Sequence, residues 1–347
     1  MKSIWKSKRF LIGFIYLTVF IIASFVYSWY FKEDTLKPMR LLYNKEGELI
    51  ASSPFSPKQM PPLGSDAFGE SIFYQILDGA KFTILFAIVI SILRIVCSTF
   101  FGIILSLYAK KLKNFIQAFT EVFYYVPTVF IASILIFPAL MNVTSNADRL
   151  EPNIQLVFYQ AAVLIFVAVP TLTLYISAEV DEFMKQEYII SSQIMGANRF
   201  HIIRKHLRVL LSERLFLLFM QHIIQTLLLI IHLALLGLLI GGVQEKPVSE
   251  GTSKPISLSN DWAGLIGLNY YQINVSSWIV LSTLAAFFLT ILIIKMMTNG
   301  IQDALAKREQ QIAEISINTD KQTSVQHRHS FTFANKKEHP YRSSANM

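Results

Sequence analysis

Charged residues and cysteine are both scarce in this chain. Of its 347 residues, only 16% are Asp, Glu, Lys or Arg, whereas 53% are hydrophobic. This balance excludes an ordinary soluble globular protein and is typical of a membrane protein. The single cysteine, Cys97, excludes a disulfide within the chain. The sequence also lacks the G-x-x-x-x-G-K-[ST] phosphate-binding pattern, the H-E-x-x-H pattern and clustered cysteines, so it offers no ATP site and no metal site.

Long apolar runs, in contrast, are abundant. A transmembrane helix needs about 20 apolar residues. Six segments reach that length, at residues 10–30, 82–109, 115–140, 154–177, 215–242 and 277–297. Prolines that are expected to kink or end these spans are Pro127, Pro138 and Pro170. We therefore predict an all-α integral membrane protein with six transmembrane helices, of which the first is an uncleaved anchor after a basic N-terminus at 1–9.

The positive charges predict the orientation of the chain. Lys and Arg accumulate on the cytoplasmic side of membrane proteins, which places the N-terminus and a loop over 179–214 inside. Loops over 31–81 and 243–276 then lie outside. The tail over 299–347 is expected to be cytoplasmic and largely disordered, with one helical extension over 307–315. Because topology explains the net charge of +8, we do not expect a nucleic-acid partner.

A basic, polar island lies between the fourth and fifth apolar segments. We call residues 187–207 the polar loop. Its pattern predicts two short amphipathic helices hinged at Gly196, which is free to adopt φ > 0. Apolar side chains at helical spacing are Tyr188, Ile190 and Ile194 upstream, and Phe200, Ile203 and Leu207 downstream. Such a compact helix–turn–helix at a membrane surface indicates a site for a partner.

The polar loop resembles the cytoplasmic coupling loop of bacterial ABC importer permeases. In that family the loop carries a glutamate, paired alanines and a glycine, and then Ile, His, Leu and Pro. The corresponding residues here are Glu187, Ser191, Ser192, Gly196, Ile203, His206 and Leu207. Serines replace the alanines and keep the side chains small. Arg208 replaces the proline, so we expect a longer second helix.

Two further stretches resemble dipeptide and oligopeptide permeases. We call residues 62–71 the glycine motif; with the helix entry that follows it, it matches the segment before the family's second span. The matching residues are Gly64, Asp66, Gly69 and Gly79, while Glu70 and Ser71 replace the family's Arg-Asp pair. Residues 261–266 and 299–305 resemble the regions before and after the last span. Together these resemblances imply a C-type subunit of the dipeptide/oligopeptide/nickel group, with the type I ABC importer permease fold and a permease core over 82–298.

The resemblance also implies what the chain works with. Partners would be a second permease subunit, cytoplasmic ABC ATPase subunits, an extracytoplasmic solute-binding protein and membrane lipid. The chain itself would hold no cofactor, because the partner ATPase binds ATP and Mg. The expected location is the cell membrane of a bacterium, with both termini cytoplasmic. Three alternatives to peptide import stay open: nickel import, a degenerate non-transporting homologue that acts as scaffold or sensor, and a membrane-embedded enzyme or stand-alone secondary transporter.

Charged residues inside the predicted spans are the remaining candidates. Arg94 lies in the second span and Glu121 near the inner end of the third. One interpretation places them in the translocation path or in an intramembrane ion pair; the other is that Arg94 snorkels or pairs structurally. His222 and His232 are ten residues apart in the fifth span, so they point to different sides and do not predict a shared ligand site.

Overall fold

The computed structural model describes residues 7–35, 38–123, 125–144, 153–249 and 252–330. Its α-helices and β-strands in chain order are α1 (Lys8–Tyr30), α2 (Lys32–Thr35), β1 (Leu41–Tyr43), β2 (Leu49–Ser52), α3 (Ile72–Leu107), α4 (Lys110–Phe123), α5 (Thr128–Thr144), α6 (Ile154–Met184), α7 (Glu187–Ile194), α8 (Arg199–Ile202), α9 (Arg208–Leu235), β3 (Val243–Ser249), β4 (Thr252–Ser257), α10 (Trp262–Asn269) and α11 (Ser277–Ser330). A π-helical turn at Ile203–Leu207 joins α8 to α9, and a 3-10 helix at Tyr270–Asn274 follows α10.

The predicted helical membrane fold is confirmed. Within the described residues, five helices are long and apolar enough to cross a membrane, namely α1, α3, α6, α9 and α11, and α5 supplies a shorter apolar helix. The strands add only two antiparallel hairpins, β1–β2 and β3–β4. Neither hairpin joins a larger sheet, so the helices alone build the body of the protein.

The third apolar segment, at 115–140, is not one helix. It is divided between α4, which is amphipathic, and α5, which is apolar throughout. The break lies just before Pro127. Proline has no N–H to donate and its ring disfavours helical geometry in the residue before it, so the helix ends there and a new one begins. Hydropathy alone could not reveal this, because aromatic residues continue across the break.

The second membrane helix begins earlier than its apolar run. We predict a span from residue 82, yet α3 starts at Ile72. Two charges stand in the added turns, and both are paired: Asp78 Oδ1 accepts from Lys81, and Asp78 Oδ2 lies 2.8 Å from Lys32 Nζ. Because these charges satisfy each other, the helix crosses a polar stretch that hydropathy assigns to the loop.

The last helix is much longer than predicted. α11 extends through Ser330, beyond the expected extension over 307–315, and the prediction of a largely disordered tail is wrong for this part of the chain; residues 331–347 lie outside the described residues. Residues 301–330 contain neither Pro nor Gly, so nothing in the chain stops the helix. Two ion pairs tie the middle of α11 to the rest of the protein: Asp303 pairs with Arg9, and Arg308 pairs with Glu213.

Two apolar clusters hold the bundle together. The larger one joins α1, α3, α5, α6, α9, α10 and α11. The smaller one lies at the end of the bundle where α3 and α6 finish and α9 begins, and it includes residues of the polar loop. The loop is therefore packed onto the bundle as part of its core.

Candidate functional site

The polar loop has the predicted hinge at Gly196. α7 ends at Ile194, and Gly196 then takes φ +91°, a left-handed conformation that favours glycine. A Cβ added at Gly196 would meet nothing within 4 Å, so backbone geometry and not crowding explains the glycine. Asn198 begins the second helix, because its side-chain oxygen accepts the backbone N–H of His201 at 2.8 Å.

The exit from the loop is one continuous helix. α8 passes through the π-helical turn into α9, which ends at Leu235. Arg208, where the family has proline, starts α9. Since arginine keeps the N–H that proline lacks, the helical hydrogen bonds continue. The second helix therefore continues through position 208 and on to Leu235.

The loop turns a different apolar face toward the bundle than the spacing indicated. Ile189, Ile202 and Leu207 are fully buried, and they pack in one cluster with Ile176 and Val180 of α6. Of the predicted apolar positions, only the downstream ones at Leu207 and, in part, at residue 203 contribute to this packing.

The upstream stripe faces outward instead. Ile194 and Met195 are each 82% exposed and Phe200 is 67% exposed, and Tyr188 and Ile190 are exposed as well. We call these five residues the apolar patch. Large apolar side chains that are exposed on a polar loop are typical of interaction surfaces.

An open groove runs beside the apolar patch. Its walls include Tyr188, Ser192, Gly196, His201 and His206. The His206 ring lies 6.0 Å from the Tyr188 ring and 6.3 Å from the His201 ring, measured between centroids. The groove thus carries polar rings and hydroxyls next to an apolar edge, a combination that suits a protein surface.

The two serines differ in exposure, and the hydroxyl of Ser191 is bonded within α7. Ser191 Oγ donates to the carbonyl oxygen of Glu187 one turn earlier, at 2.9 Å. Ser192 is buried on the side of the helix next to Ile189, and Glu187 is exposed. Serine therefore occupies the place of alanine here without changing the helix.

Arg199 fastens the loop to α3 and was not singled out from the sequence. Its guanidinium donates to the carbonyl oxygen of Leu107, the last residue of α3, and lies 5.4 Å from the Tyr108 ring. A cation at a helix C-terminus is favourable because the last carbonyls are unpaired there. A basic residue next to an N-cap asparagine is too common a pattern to predict this contact.

The glycine motif is organised around Asp66. Asp66 Oδ1 accepts the backbone N–H groups of Phe68 and Glu70, each at 2.9 Å, and Oδ2 accepts Gln75 Nε2 at 2.8 Å. Burial, and then the neighbouring carboxylate of Glu70, raise the pKa of Asp66 to about 6. These hydrogen bonds fold the glycine motif into a compact loop just before the start of α3.

The glycines of this region permit close backbone approach. A Cβ at Gly79 would lie 1.8 Å from the carbonyl oxygen of Asn260, and one at Gly69 would lie 1.9 Å from that of Met39. Gly64 also has a positive φ. The matched glycines are thus packing residues, and none of them faces the polar loop.

The stretch at 261–266 anchors α10 to α3. Asp261 caps α10 by accepting the N–H of Gly264 at 2.8 Å. Trp262 is fully buried, and its Nε1 donates to the carbonyl oxygen of Ile76 at 2.7 Å. This contact closes the end of the bundle opposite the polar loop.

Arg94 and Glu121 do not meet. Glu121 is exposed on α4, where it accepts from Gln117 Nε2 at 3.0 Å. Arg94 is only 2% exposed. Its Nε and Nη2 donate to the carbonyl oxygen of Leu164 on α6 at 3.0 and 2.6 Å, and its Nη1 donates to Thr226 Oγ1 on α9 at 2.9 Å. The hypothesis of an ion pair between the two residues is therefore wrong.

Uncharged acceptors thus compensate the buried guanidinium. An arginine at the centre of a membrane helix costs about 2.5–3.5 kcal/mol on insertion scales. A hydrogen bond to a charged group contributes about 1.5–3 kcal/mol, so three such bonds are enough to offset this cost. Arg94 consequently links three helices and is almost completely buried.

The two histidines of α9 have separate surroundings. His222 is buried with Nδ1 unpaired among the described residues, while His232 Nδ1 contacts the carbonyl oxygen of Leu228 at 2.5 Å. In the described part of the chain, no three His, Cys, Asp or Glu residues are close enough to hold a metal ion.

Comparison with known proteins identifies the family. The family model described as "Binding-protein-dependent transport system inner membrane component" matches residues 98–311, which is more than half of the chain. The match includes the polar loop and all of α9. No curated protein matches the chain. Members of this family are multi-pass transport proteins, not enzymes, and they work with an ABC ATPase and a binding protein. The chain belongs to this family and is an inner-membrane permease of an ABC importer.

Proposed function

We propose that this chain is the C-type permease subunit of an ATP-driven importer of oligopeptides or dipeptides, and that the polar loop is its docking site for the ATPase. Both termini and the polar loop would be cytoplasmic. The chain would bind no cofactor, and ATP and Mg would be held by the ATPase. A second permease subunit and a solute-binding protein outside the membrane would complete the transporter.

The apolar patch is the observation that carries this proposal. Elsewhere, exposed apolar side chains on membrane helices can face lipid, but the polar loop is too polar and too short to enter the bilayer. Burying apolar area yields about 25 cal/mol per Å², so a partner that covers the patch gains most at its three most exposed residues, Ile194, Met195 and Phe200. These side chains are large and apolar, as interface anchors often are.

The link from the loop to the bundle supports a role in coupling. One helix runs from the turn after Gly196 to Leu235 without interruption. A displacement of the loop therefore moves α9 along its whole length. A flexible connection would absorb the displacement, whereas a continuous helix transmits it.

Peptide import rests on the resemblance of several stretches in family order. The glycine motif, the polar loop and the residues at 261–266 and 299–305 occur in that sequence along the chain. The glycine motif and the residues at 261–266 both lie at the end of the bundle opposite the polar loop. Asp66 and Trp262 make their main contacts there. Nickel import is the closest alternative, and the same assay distinguishes the two.

Purification of the protein from its native membrane is the first test. We expect an ABC ATPase, a second permease and a solute-binding protein to co-elute. The complex in proteoliposomes should then accumulate labelled di- or oligopeptides when ATP is supplied, and Ni²⁺ should not accumulate. Co-elution without any flux would favour the scaffold or sensor. Elution of the chain alone would contradict the proposal.

A pair of matched variants tests the docking site. Ile194→Glu places a charge in the apolar patch, and we expect it to reduce ATPase co-elution at least about tenfold, in line with the loss of an interface anchor. Leu49→Glu makes the same kind of change at an exposed apolar residue of the β1–β2 hairpin, at the other end of the bundle, and should leave co-elution unchanged. Equal co-elution for both variants would refute the assignment of the patch.

A further inference from the structure

Arg94 connects the helix that leaves the polar loop to two other membrane helices. α9 contributes Thr226, α6 contributes the Leu164 carbonyl, and Arg94 itself belongs to α3. Leu107, at the end of α3, is already tied to the polar loop through Arg199. α3 is thus held at two points. Arg199 ties its end to the polar loop, and Arg94 ties its membrane-spanning part to α6 and α9.

The position of Thr226 along α9 gives the Arg94 contact its importance. Thr226 lies 19 residues beyond Leu207, which corresponds to about 28 Å of helix at 1.5 Å per residue. The contact is therefore deep in the bundle, far from the surface of the polar loop. The π-helical turn at Ile203–Leu207 lies at the start of this length of helix, and such turns often occur at functional sites.

The hydrogen bonds of Thr226 are arranged for this contact. Its hydroxyl donates to the carbonyl oxygen of His222 at 2.8 Å and accepts from Arg94 Nη1 at 2.9 Å, and Ser91 Oγ of α3 lies 3.3 Å from the same oxygen. Thr226 is fully buried. Within the described residues no carboxylate pairs with Arg94, so the guanidinium depends on Thr226 and Leu164 and would be left partly unpaired if α9 moved alone.

We propose that Arg94 is a positioning residue that makes α3 and α6 move together with α9 when the polar loop is displaced. A buried cation that loses an acceptor in an apolar surrounding is costly. Relative sliding of α9 is therefore unfavourable, and the three helices respond as one body. This inference rests on the proposed function, because an ATPase must displace the loop.

Thr226→Val is the sharpest variant, because it removes the acceptor on α9 and preserves the shape of the side chain. Thr298→Val is its matched control. Thr298 is also fully buried and its hydroxyl also donates to a carbonyl one turn earlier, that of Ile294 at 2.8 Å, but it accepts nothing from Arg94. Thr226→Ser keeps the hydroxyl and should restore the function.

The first measurement is the number of solute molecules imported per ATP hydrolysed by the reconstituted complex. We expect Thr226→Val to lower this ratio about tenfold or more while hydrolysis stays within about twofold, as the loss of a hydrogen bond to a charged group would predict. Thr298→Val and Thr226→Ser should keep the ratio of the wild type. An unchanged ratio in Thr226→Val, or an equal loss in Thr298→Val, would overturn the proposal.

A distance measurement separates this inference from the proposed function. Cys97 is the only cysteine and lies on α3, one turn after Arg94. Gln193→Cys adds a second label site on the polar loop, at an exposed residue outside the apolar patch and the groove. When the complex binds a non-hydrolysable ATP analogue, the distance between the two spin labels should stay constant, and it should change once Thr226→Val is added. A constant distance in both, or a change already without Thr226→Val, would overturn the role of Arg94 alone. Failure of any ATPase to bind would overturn the proposed function and this inference with it.

Discussion

Gly196 offers the most direct test of the polar loop, because its backbone conformation favours glycine while an added side chain would clash with nothing. The residue takes φ +91°, and an added Cβ would find no atom within 4 Å. Gly196→Ala and Gly196→Val therefore introduce conformational strain without a clash. We expect import to decrease in the order Gly, Asn, Ala, Val, since asparagine tolerates left-handed geometry better than other non-glycine residues.

The size of the effect follows from the cost of the left-handed conformation. It is about 1–2 kcal/mol for a residue with a Cβ. At 1.36 kcal/mol per factor of ten, the observed turn becomes about five to thirty times less populated relative to alternatives. β-branching adds to this cost in Gly196→Val. The fold should persist, because the strain is confined to one exposed turn.

The assay compares solute import per ATP hydrolysed for the Gly196 series in proteoliposomes. Gly47→Val is the matched control: Gly47 has φ +84° and equally empty surroundings, but it lies in the turn of the β1–β2 hairpin. We expect normal coupling in Gly47→Val and at least about fivefold weaker coupling in Gly196→Val. Wild-type import by Gly196→Val, or the same defect in both variants, would refute the argument from the hinge.

Three further changes have expected outcomes. Gly79→Ala brings a Cβ to 1.8 Å from the Asn260 carbonyl oxygen, so α3 must move and the protein should lose about 3 kcal/mol of stability; an unchanged melting temperature in detergent would contradict this packing. The pKa of Asp66 is raised from 3.8 to about 6, so its contribution to stability is complete below pH 3.8 and is lost as the pH rises through 6. Wild-type stability should fall by about 1–2 kcal/mol between pH 5 and pH 7, and thermal melts of Asp66→Asn should not show this component. Ser191→Ala removes a hydroxyl that bonds only within its own helix, so import should stay at the wild-type level and stability within about 0.5 kcal/mol; a large gain of import would indicate that the serine weakens transport.

Much of the fold is readable from the sequence because it depends on local composition. Apolar runs of membrane length mark the spans, and the polar loop stands out since it interrupts them. The hinge at Gly196 is also local: it needs only a glycine between two short helical patterns. The continuity of the second helix through position 208 is also a local property, because arginine keeps the backbone N–H that proline lacks.

Other features depend on partners that are remote in the chain. The early start of α3 could not be predicted from hydropathy, because it requires Lys32 to reach Asp78. The split of the third segment was hidden by continuous apolar character, although Pro127 marks its position. The contact of Arg199 with Leu107 joins residues 92 positions apart, and no local pattern indicates it.

The sequence by itself determined that this chain is a helical membrane protein with a structured polar loop on one side, since hydropathy, charge and glycine placement are properties of each segment. Only the tertiary structure decided which face of the loop is covered. Periodicity identifies an apolar stripe, but the neighbours of α7 bury Ile189 and leave Ile194 exposed. It likewise decided the hydrogen-bond partners of Arg94, which are 70 and 132 residues away. A buried charge must find its partners in space, and the packing of α3 against α6 and α9 supplies them.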